Sequence, residues 1–246
     1  MLKKLFVLLV ALFTCATCFA AEADEPVEKT PGCNPDLMDM VFILDRSGSM
    51  SGLERDTIGG FNSLITKQKA QEGGEVCVSC VLFNHESKLL YNRVSLADIK
   101  AMTDKDYTVG GSTALLDAVG IEMNRLDRVY TELGDKRPGK VLFVIITDGE
   151  ENSSREFTQP KIKEMISERM EKRGWEFLFL GANIDAVSVA GNYGISARHA
   201  ATYRNDSRGV AQNFAALEAA ASDMRANGKV SEDWADGVKE DYQGKR

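Results

Sequence analysis

Histidine and cysteine are scarce in this sequence, with two and five copies among 246 residues. The histidines are His85 and His199, and no Gly-x-Ser-x-Gly elbow surrounds any serine, so a Ser/His/Asp hydrolase is not indicated. Lys and Arg number 30 against 37 Asp and Glu, and the chain therefore lacks the basic face that nucleic-acid binding requires. With 43% hydrophobic and 27% charged residues, the composition also excludes a multi-pass membrane protein, a collagen-like repeat and wholesale disorder.

Long hydrophobic runs are missing outside the N-terminal region. There, Lys3 and Lys4 precede an apolar run at residues 5–13 and then small residues, the order of a secretory signal peptide. The run is about half the length that would cross a bilayer. We expect residues 1–23 to be a signal peptide cleaved after Ala20 or Ala23. The mature chain is then exported, periplasmic or secreted, with no membrane span.

Cleavage leaves Cys33, Cys77 and Cys80, an odd number in an exported chain. Residues 76–83 read as a strand, and three residues of strand span about 10 Å, which is beyond disulfide reach. We therefore expect Cys77 and Cys80 to be small apolar side chains rather than a redox or zinc pair. The sequence leaves the pairing of Cys33 open.

The prolines and charges of residues 24–38 predict a polar linker, followed by a folded domain over residues 39–225. Residues 226–246 are polar, and we expect a C-terminal tail that is a solvated helix or frayed chain. Trp234 in this tail would mark a contact site if it is exposed. In contrast, Trp175 opens a predicted strand and is expected to pack in the core.

Strands and helices alternate along the predicted domain. Continuous apolar runs at residues 40–44, 141–146 and 177–180 are typical of parallel strands covered on both faces. Apolar residues at helical spacing separate them, for example from Leu115 to Leu126. This order predicts an α/β fold with an open, doubly wound, mostly parallel sheet and helices on both faces.

A hairpin at one edge completes the predicted sheet. Residues 76–83 and 88–94 flank the tetrapeptide Asn-His-Glu-Ser, which predicts a hairpin and one antiparallel strand at the sheet edge. Ligands of such sheets bind at the carboxyl ends of the strands, where the strand order reverses.

Oxygen-bearing side chains follow the predicted strands at that edge of the sheet. Asp45, Ser47 and Ser49 come directly after the first core strand, Thr113 stands before a long helix, and Asp148 follows the strand at residues 141–146. Two carboxylates and three hydroxyls form a hard ligand set that suits Mg²⁺, Mn²⁺ or Ca²⁺ rather than zinc or copper.

This pattern of Asp45-x-Ser47-x-Ser49, Thr113 and Asp148 resembles the metal-ion-dependent adhesion site of von Willebrand factor type A domains. The resemblance runs from residue 39 to about residue 196 and is closest to a bacterial subgroup of unassigned function. It implies that the three hydroxyls contact the metal and that the two carboxylates hold it mostly through water. It further implies a non-enzymatic binding module whose protein partner supplies an acidic side chain to the metal. Thr147 is not among the implied ligands.

The same residues allow other interpretations. A haloacid-dehalogenase-like phosphatase would use Asp45 as a Mg²⁺-dependent nucleophile, but it normally carries a second Asp where this chain has Ser47. A structural domain with an unused metal site is a further alternative. An EF-hand is excluded because Met50 replaces the turn glycine. Asp185 is expected to cap a helix, and the orientations of Glu150 and Glu151 stay open.

Overall fold

The computed structural model describes residues 33–244. The predicted signal peptide and the first part of the predicted linker lie outside the described residues. The six strands are β1 (Asn34–Asp45), β2 (Glu75–Phe83), β3 (Ser87–Ser95), β4 (Pro138–Thr147), β5 (Glu176–Ala182) and β6 (Ala200–Tyr203). The six α-helices of this stretch are α1 (Glu54–Ala70), α2 (Leu115–Leu133), α3 (Gln159–Arg173), α4 (Ala186–Asn192), α5 (Ser207–Asn227) and α6 (Asp236–Tyr242). Each of them is too short or too polar to span a bilayer.

The strands form one sheet in the order β3-β2-β1-β4-β5-β6. All neighbouring pairs are parallel except β2 and β3, which form the predicted antiparallel hairpin at the sheet edge. The predicted open, doubly wound α/β fold is therefore confirmed. The strand order reverses between β1 and β4, so the carboxyl ends of these two strands meet at the topological switch point.

Two apolar layers cover the faces of the sheet. Alternate residues of the central strands point to opposite faces: Phe42 and Leu44 contact the layer formed with α1 and α5, while Val41 and Ile43 contact the layer formed with α2 and α3. Because both faces are buried, the strands need apolar residues at every position. This requirement explains the continuous apolar runs of the sequence.

Residues at the helix ends explain the boundaries of α3 and α4. Helix α3 has Pro160 in its first turn and ends at Gly174, which adopts the left-handed conformation with φ 63°. The side chain of Asp185 accepts a hydrogen bond from Ser188 N (3.1 Å), so Asp185 caps α4 as expected. Trp175 is buried against Phe143 and Phe177, which confirms its packing role.

The first strand begins earlier than the sequence indicated. Residues 34–38, expected to be linker, belong to β1, and Asn34 N donates to the carbonyl of Arg137 (2.8 Å) next to β4. Backbone pairing with β2 and β4 holds this segment, which is too short in apolar residues to show a strand pattern in the sequence. Cys77 and Cys80 on β2 form no disulfide, and burial raises the pKa of both thiols.

The C-terminal segment is packed rather than solvated as far as the structure describes it, which corrects the expectation of a solvated tail for residues 226–244. Trp234, Ala235 and Val238 are buried in the layer that contains α5, and helix α6 packs against β6 and α5. The indole Nε1 of Trp234 donates to the carbonyl of Arg198 (2.9 Å). Three apolar residues among many charged ones are enough for this packing because all three are buried in the same apolar layer. Trp234 is therefore not an exposed contact site.

We expect Trp234→Ala to lower the free energy of unfolding by about 3–5 kcal/mol, because it empties a buried aromatic site and removes the indole hydrogen bond. Urea unfolding followed by circular dichroism measures this loss. Tyr242→Ala, at a side chain that is 53% exposed, is the matched control and should change stability by less than about 0.5 kcal/mol. Equal effects of the two substitutions would contradict the docked C-terminal segment.

Candidate metal centre

The first part of the site is the turn that leaves β1. Asp45 is the buried last residue of β1, and its Oδ1 accepts a hydrogen bond from Ser47 N (2.7 Å), a turn geometry that Asp favours. This turn brings Ser47 Oγ and Ser49 Oγ within 3.1 Å of each other. The Asp-x-Ser-x-Ser spacing thus places two hydroxyls side by side at the end of the strand.

The second part of the site comes from the neighbouring strand. Leu44 pairs with Ile146 in the parallel register of β1 and β4, so Asp148 follows β4 beside the turn of β1. Ser49 Oγ donates to Asp148 Oδ1 (2.6 Å), and Thr147 Oγ1 donates to the second oxygen of Asp45 (2.6 Å). Residues about one hundred positions apart in sequence therefore share hydrogen bonds.

The third part of the site is the segment before α2. Gly48 N donates to the carbonyl of Gly111 (3.0 Å), which fixes this segment against the turn of β1. A Cβ atom built at Gly149 would lie 3.4 Å from Ser49 Oγ and 3.7 Å from Thr113 Oγ1. The hydroxyls of Ser49 and Thr113 therefore face the same small space. All five residues named from the sequence lie together at the switch point.

The two carboxylates of the site are held where their charged forms are disfavoured. Burial raises the pKa of Asp45, although hydrogen bonds from Thr147 and Ser47 oppose the shift. Burial also raises the pKa of Asp148, the hydrogen bond from Ser49 opposes this, and the negative charge of Asp45 adds to it. A cation between these groups would stabilise both carboxylates in their ionised form, and protons would compete with it.

The chemistry of the site fits a divalent cation with oxygen ligands. Asp148 Oδ2 is buried and has no hydrogen-bond partner among the described residues, and an unpartnered carboxylate oxygen is costly unless a cation or water meets it. The side chain of Asn205 lies near this carboxylate and lowers the pKa of Asp148, in opposition to the effect of burial. Nowhere in residues 33–244 do three or more His, Cys, Asp or Glu side chains gather as metal ligands. Hydroxyls would therefore provide much of the ligation here.

The structure adds residues that the sequence did not single out. Tyr107 is fully buried and its hydroxyl donates to the backbone carbonyl of Asp45. Asn152 Oδ1 accepts a hydrogen bond from Thr113 N (2.9 Å). Both lie in irregular segments without apolar periodicity, so no sequence signal marked Tyr107. Asn152 lies four residues after Asp148. This spacing indicates a role at the site only when the ends of β1 and β4 are known to be adjacent.

Solved structures of similar fold include a matrix protein, a minor pilin and a von Willebrand factor type A structure. Proximal thread matrix protein 1 from the mussel byssus, with a zinc-occupied MIDAS motif, is 18% identical with a TM-score of 0.55, covering 75% of this chain and 45% of that one. A mutant of the PilB minor pilin from Streptococcus sanguinis is 12% identical with a TM-score of 0.52, covering 75% and 61%. A von Willebrand factor type A structure from Catenulispora acidiphila is 12% identical with a TM-score of 0.50, covering 76% and 42%.

These similarities concern the fold, since the identities are low. The chain spans about half the length of the solved structures that it matches, 45% and 46% for two of the mussel protein structures. No family model and no curated protein sequence matches the chain.

We expect Gly149→Ala to weaken Mg²⁺ binding by about tenfold or more, because the added methyl group enters the space between the hydroxyls of Ser49 and Thr113. The methyl makes only ordinary contacts there, so the fold without metal should tolerate it. Isothermal titration calorimetry measures the affinity, and thermal unfolding in chelator measures the stability. Gly59→Ala, where an added Cβ meets nothing within 4 Å, is the matched control. Undiminished affinity of Gly149→Ala would argue against a cation in this space.

Proposed function

Because the described chain has the fold of von Willebrand factor type A domains, we propose that it is a binding module that holds a divalent cation at a metal-ion-dependent adhesion site. Asp45, Ser47, Ser49, Thr113 and Asp148 form the proposed site. The proposal extends to the partner, a protein that supplies a carboxylate to the bound cation. No catalytic role is assigned to these residues.

One observation carries this proposal. Three stretches of chain, at residues 45–49, 113 and 148, bring their oxygen atoms to one small space at the switch point of the sheet. Within that space Asp148 Oδ2 is buried and unpartnered. Buried polar atoms in native proteins usually have a partner, so this oxygen calls for an explanation, and a bound cation would provide one.

The ligand set favours a hard cation. Mg²⁺ prefers six oxygen ligands and retains several waters, and hydroxyls with water-linked carboxylates meet both requirements. Mn²⁺ and Ca²⁺ take oxygen ligands as well. The mussel matrix protein carries zinc in its MIDAS motif, so a test of this chain should include zinc. We propose Mg²⁺ as the resident cation, with Ser47, Ser49 and Thr113 in contact with it.

The charge balance of the site supports a carboxylate partner. The proposed direct ligands are neutral hydroxyls and the two carboxylates would act mostly through water, so the cation would stay electrophilic. Ser49 and Gly48 are exposed at the mouth of the site, where an incoming group has access. An acidic side chain would complete the oxygen shell and neutralise that charge. This arrangement gives binding without bond cleavage.

The proposed location is outside the cytoplasm. The N-terminal pattern of residues 1–23 supports export, and a structure of similar fold is a matrix protein of the mussel byssus. Periplasmic retention and secretion are both compatible with this proposal. A phosphatase of the haloacid-dehalogenase type is the alternative from another class, and hydrolysis of a generic phosphoester distinguishes it.

Asp45→Ala and Ser47→Ala should each weaken Mg²⁺ and Mn²⁺ binding by about tenfold or more, since each removes an oxygen ligand or its support. Calorimetry on the full chain measures the affinities, and circular dichroism checks that the sheet is retained. Ser51→Ala, at an exposed residue just after the motif, is the control and should bind as wild type does. Undiminished affinity in both site variants would refute the assignment, and phosphoester turnover that needs Asp45 would favour the phosphatase.

The partner should be captured only when the cation is present. Immobilised wild-type chain, exposed to extract of the native cell envelope, is expected to retain a specific protein in Mg²⁺ and to release it in chelator. Ser49→Ala should retain little of that protein in either buffer, because the Ser49 hydroxyl is one of the proposed ligands. Blocking the carboxylates of the extract by amidation should abolish capture, and capture that survives amidation would contradict the proposed recognition.

A further inference from the structure

We propose that Asn152 is a positioning residue for Thr113, so that the loop at residues 150–157 sets the affinity and selectivity of the cation site. This inference rests on the proposed function. It concerns a segment in which the sequence offered only two glutamates of unknown orientation. The structure gives the orientation of Glu151 and adds a set of hydrogen bonds between the loop and the start of α2.

Helix α2 has no N-terminal cap of its own. Its N-cap residue is Ala114, whose methyl group accepts no hydrogen bond, so the first amides of the helix need partners from elsewhere. The loop provides them: Leu116 N donates to Glu151 Oε2 (3.0 Å) and Asp117 N donates to Ser154 Oγ (3.0 Å). The cap of α2 is thus supplied by residues more than thirty positions away.

A carboxylate at the start of α2 also stabilises the loop. The carboxylate of Asp117 accepts hydrogen bonds from the backbone amides of residues 155, 156 and 157 at 2.7–2.9 Å. Glu151 accepts from the amides of Ser153 and Ser154 as well (2.9 and 2.8 Å). Both oxygens of Glu151 are therefore engaged by donors of the loop and the helix, which leaves it in a capping position rather than in the ligand set.

Thr113 is bonded to this loop through both of its backbone groups. Its amide donates to Asn152 Oδ1 (2.9 Å), and its carbonyl accepts from the amides of Asn152 (3.0 Å) and Ser153 (3.2 Å). Asn152 thus holds Thr113 by a side-chain bond and a backbone bond at once. The loop begins two residues after Asp148, so its attachment to Thr113 constrains the distance between two of the proposed ligands.

This arrangement has a consequence for the cation. Mg²⁺ demands near-ideal octahedral geometry at about 2.1 Å, whereas Ca²⁺ accepts longer and less regular ligation. Loss of the Asn152 side chain frees the amide of Thr113 and lets the Thr113 hydroxyl move relative to Asp148. Binding of Mg²⁺ should then suffer more than binding of Ca²⁺. A merely structural role would lower stability without changing the ratio of the two affinities.

Asn152→Ala should weaken Mg²⁺ binding by about tenfold and Ca²⁺ binding distinctly less, as measured by calorimetry on the full chain. Asn152→Asp retains an oxygen acceptor for Thr113 N and should restore the Mg²⁺ affinity. Ser154→Ala is the matched control: it removes a cap of α2 without touching Thr113, so it should lower stability in chelator and leave both affinities unchanged. If Asn152→Ala fails to fold, Asn152→Ser replaces it in the same measurements.

The outcomes separate the two proposals. If the wild-type chain binds none of the tested cations, the proposed function fails. If the wild-type chain binds Mg²⁺ and Asn152→Ala binds it with the same affinity, only the positioning role of Asn152 is overturned. The same conclusion follows if Ser154→Ala loses as much Mg²⁺ affinity as Asn152→Ala. An equal loss for Mg²⁺ and Ca²⁺ would also overturn the claim about selectivity.

Discussion

The parallel pairing of β1 with β4 is the constraint on which the site depends. Because Leu44 lies opposite Ile146, both strands end at the same level, so Asp45, the last residue of β1, and Asp148, which follows β4, become neighbours. The hydrogen bonds from Thr147 to Asp45 and from Ser49 to Asp148 then cross between the strands. A shift of the register by one residue would turn every side chain of one strand to the opposite face and separate these groups.

The site also concentrates unfavourable charge. Asp45 and Asp148 are buried near each other, and the same burial that shapes the site raises the pKa of both carboxyl groups. Hydroxyl donors compensate only in part, since one oxygen of Asp148 has no partner in the described chain. Such uncompensated polarity at a strand end is typical of functional sites, where a ligand completes what the fold leaves open.

The sequence predicted those features that have local patterns. Continuous apolar runs predicted the central strands, and a four-residue polar break predicted the edge hairpin. Strand β6 has only four residues and was missed, because so short a run carries no periodicity. The packing of Trp234 was also missed, since its neighbours in sequence are charged.

The candidate site likewise contains residues that local sequence patterns indicated and residues that they did not indicate. Its five residues could be named because each directly follows a strand or precedes a helix, and the structure brings them together, while their role as metal ligands stays a prediction. Tyr107 and Asn152 could not be named, because each acts through a hydrogen bond to the backbone of a distant residue. Partners of that kind depend on the complete chain path, which no window of sequence contains.

The docked C-terminal segment bears on where the folding unit can be cut. Helix α6 lies against the short edge strand β6, and Trp234 and Val238 fill the apolar layer beside α5. A fragment ending near residue 225, where the polar composition begins, would uncover this layer and the flank of β6 together. Exposed apolar surface next to an edge strand promotes association between copies. The smallest fragment suited to expression and titration therefore extends through Tyr242.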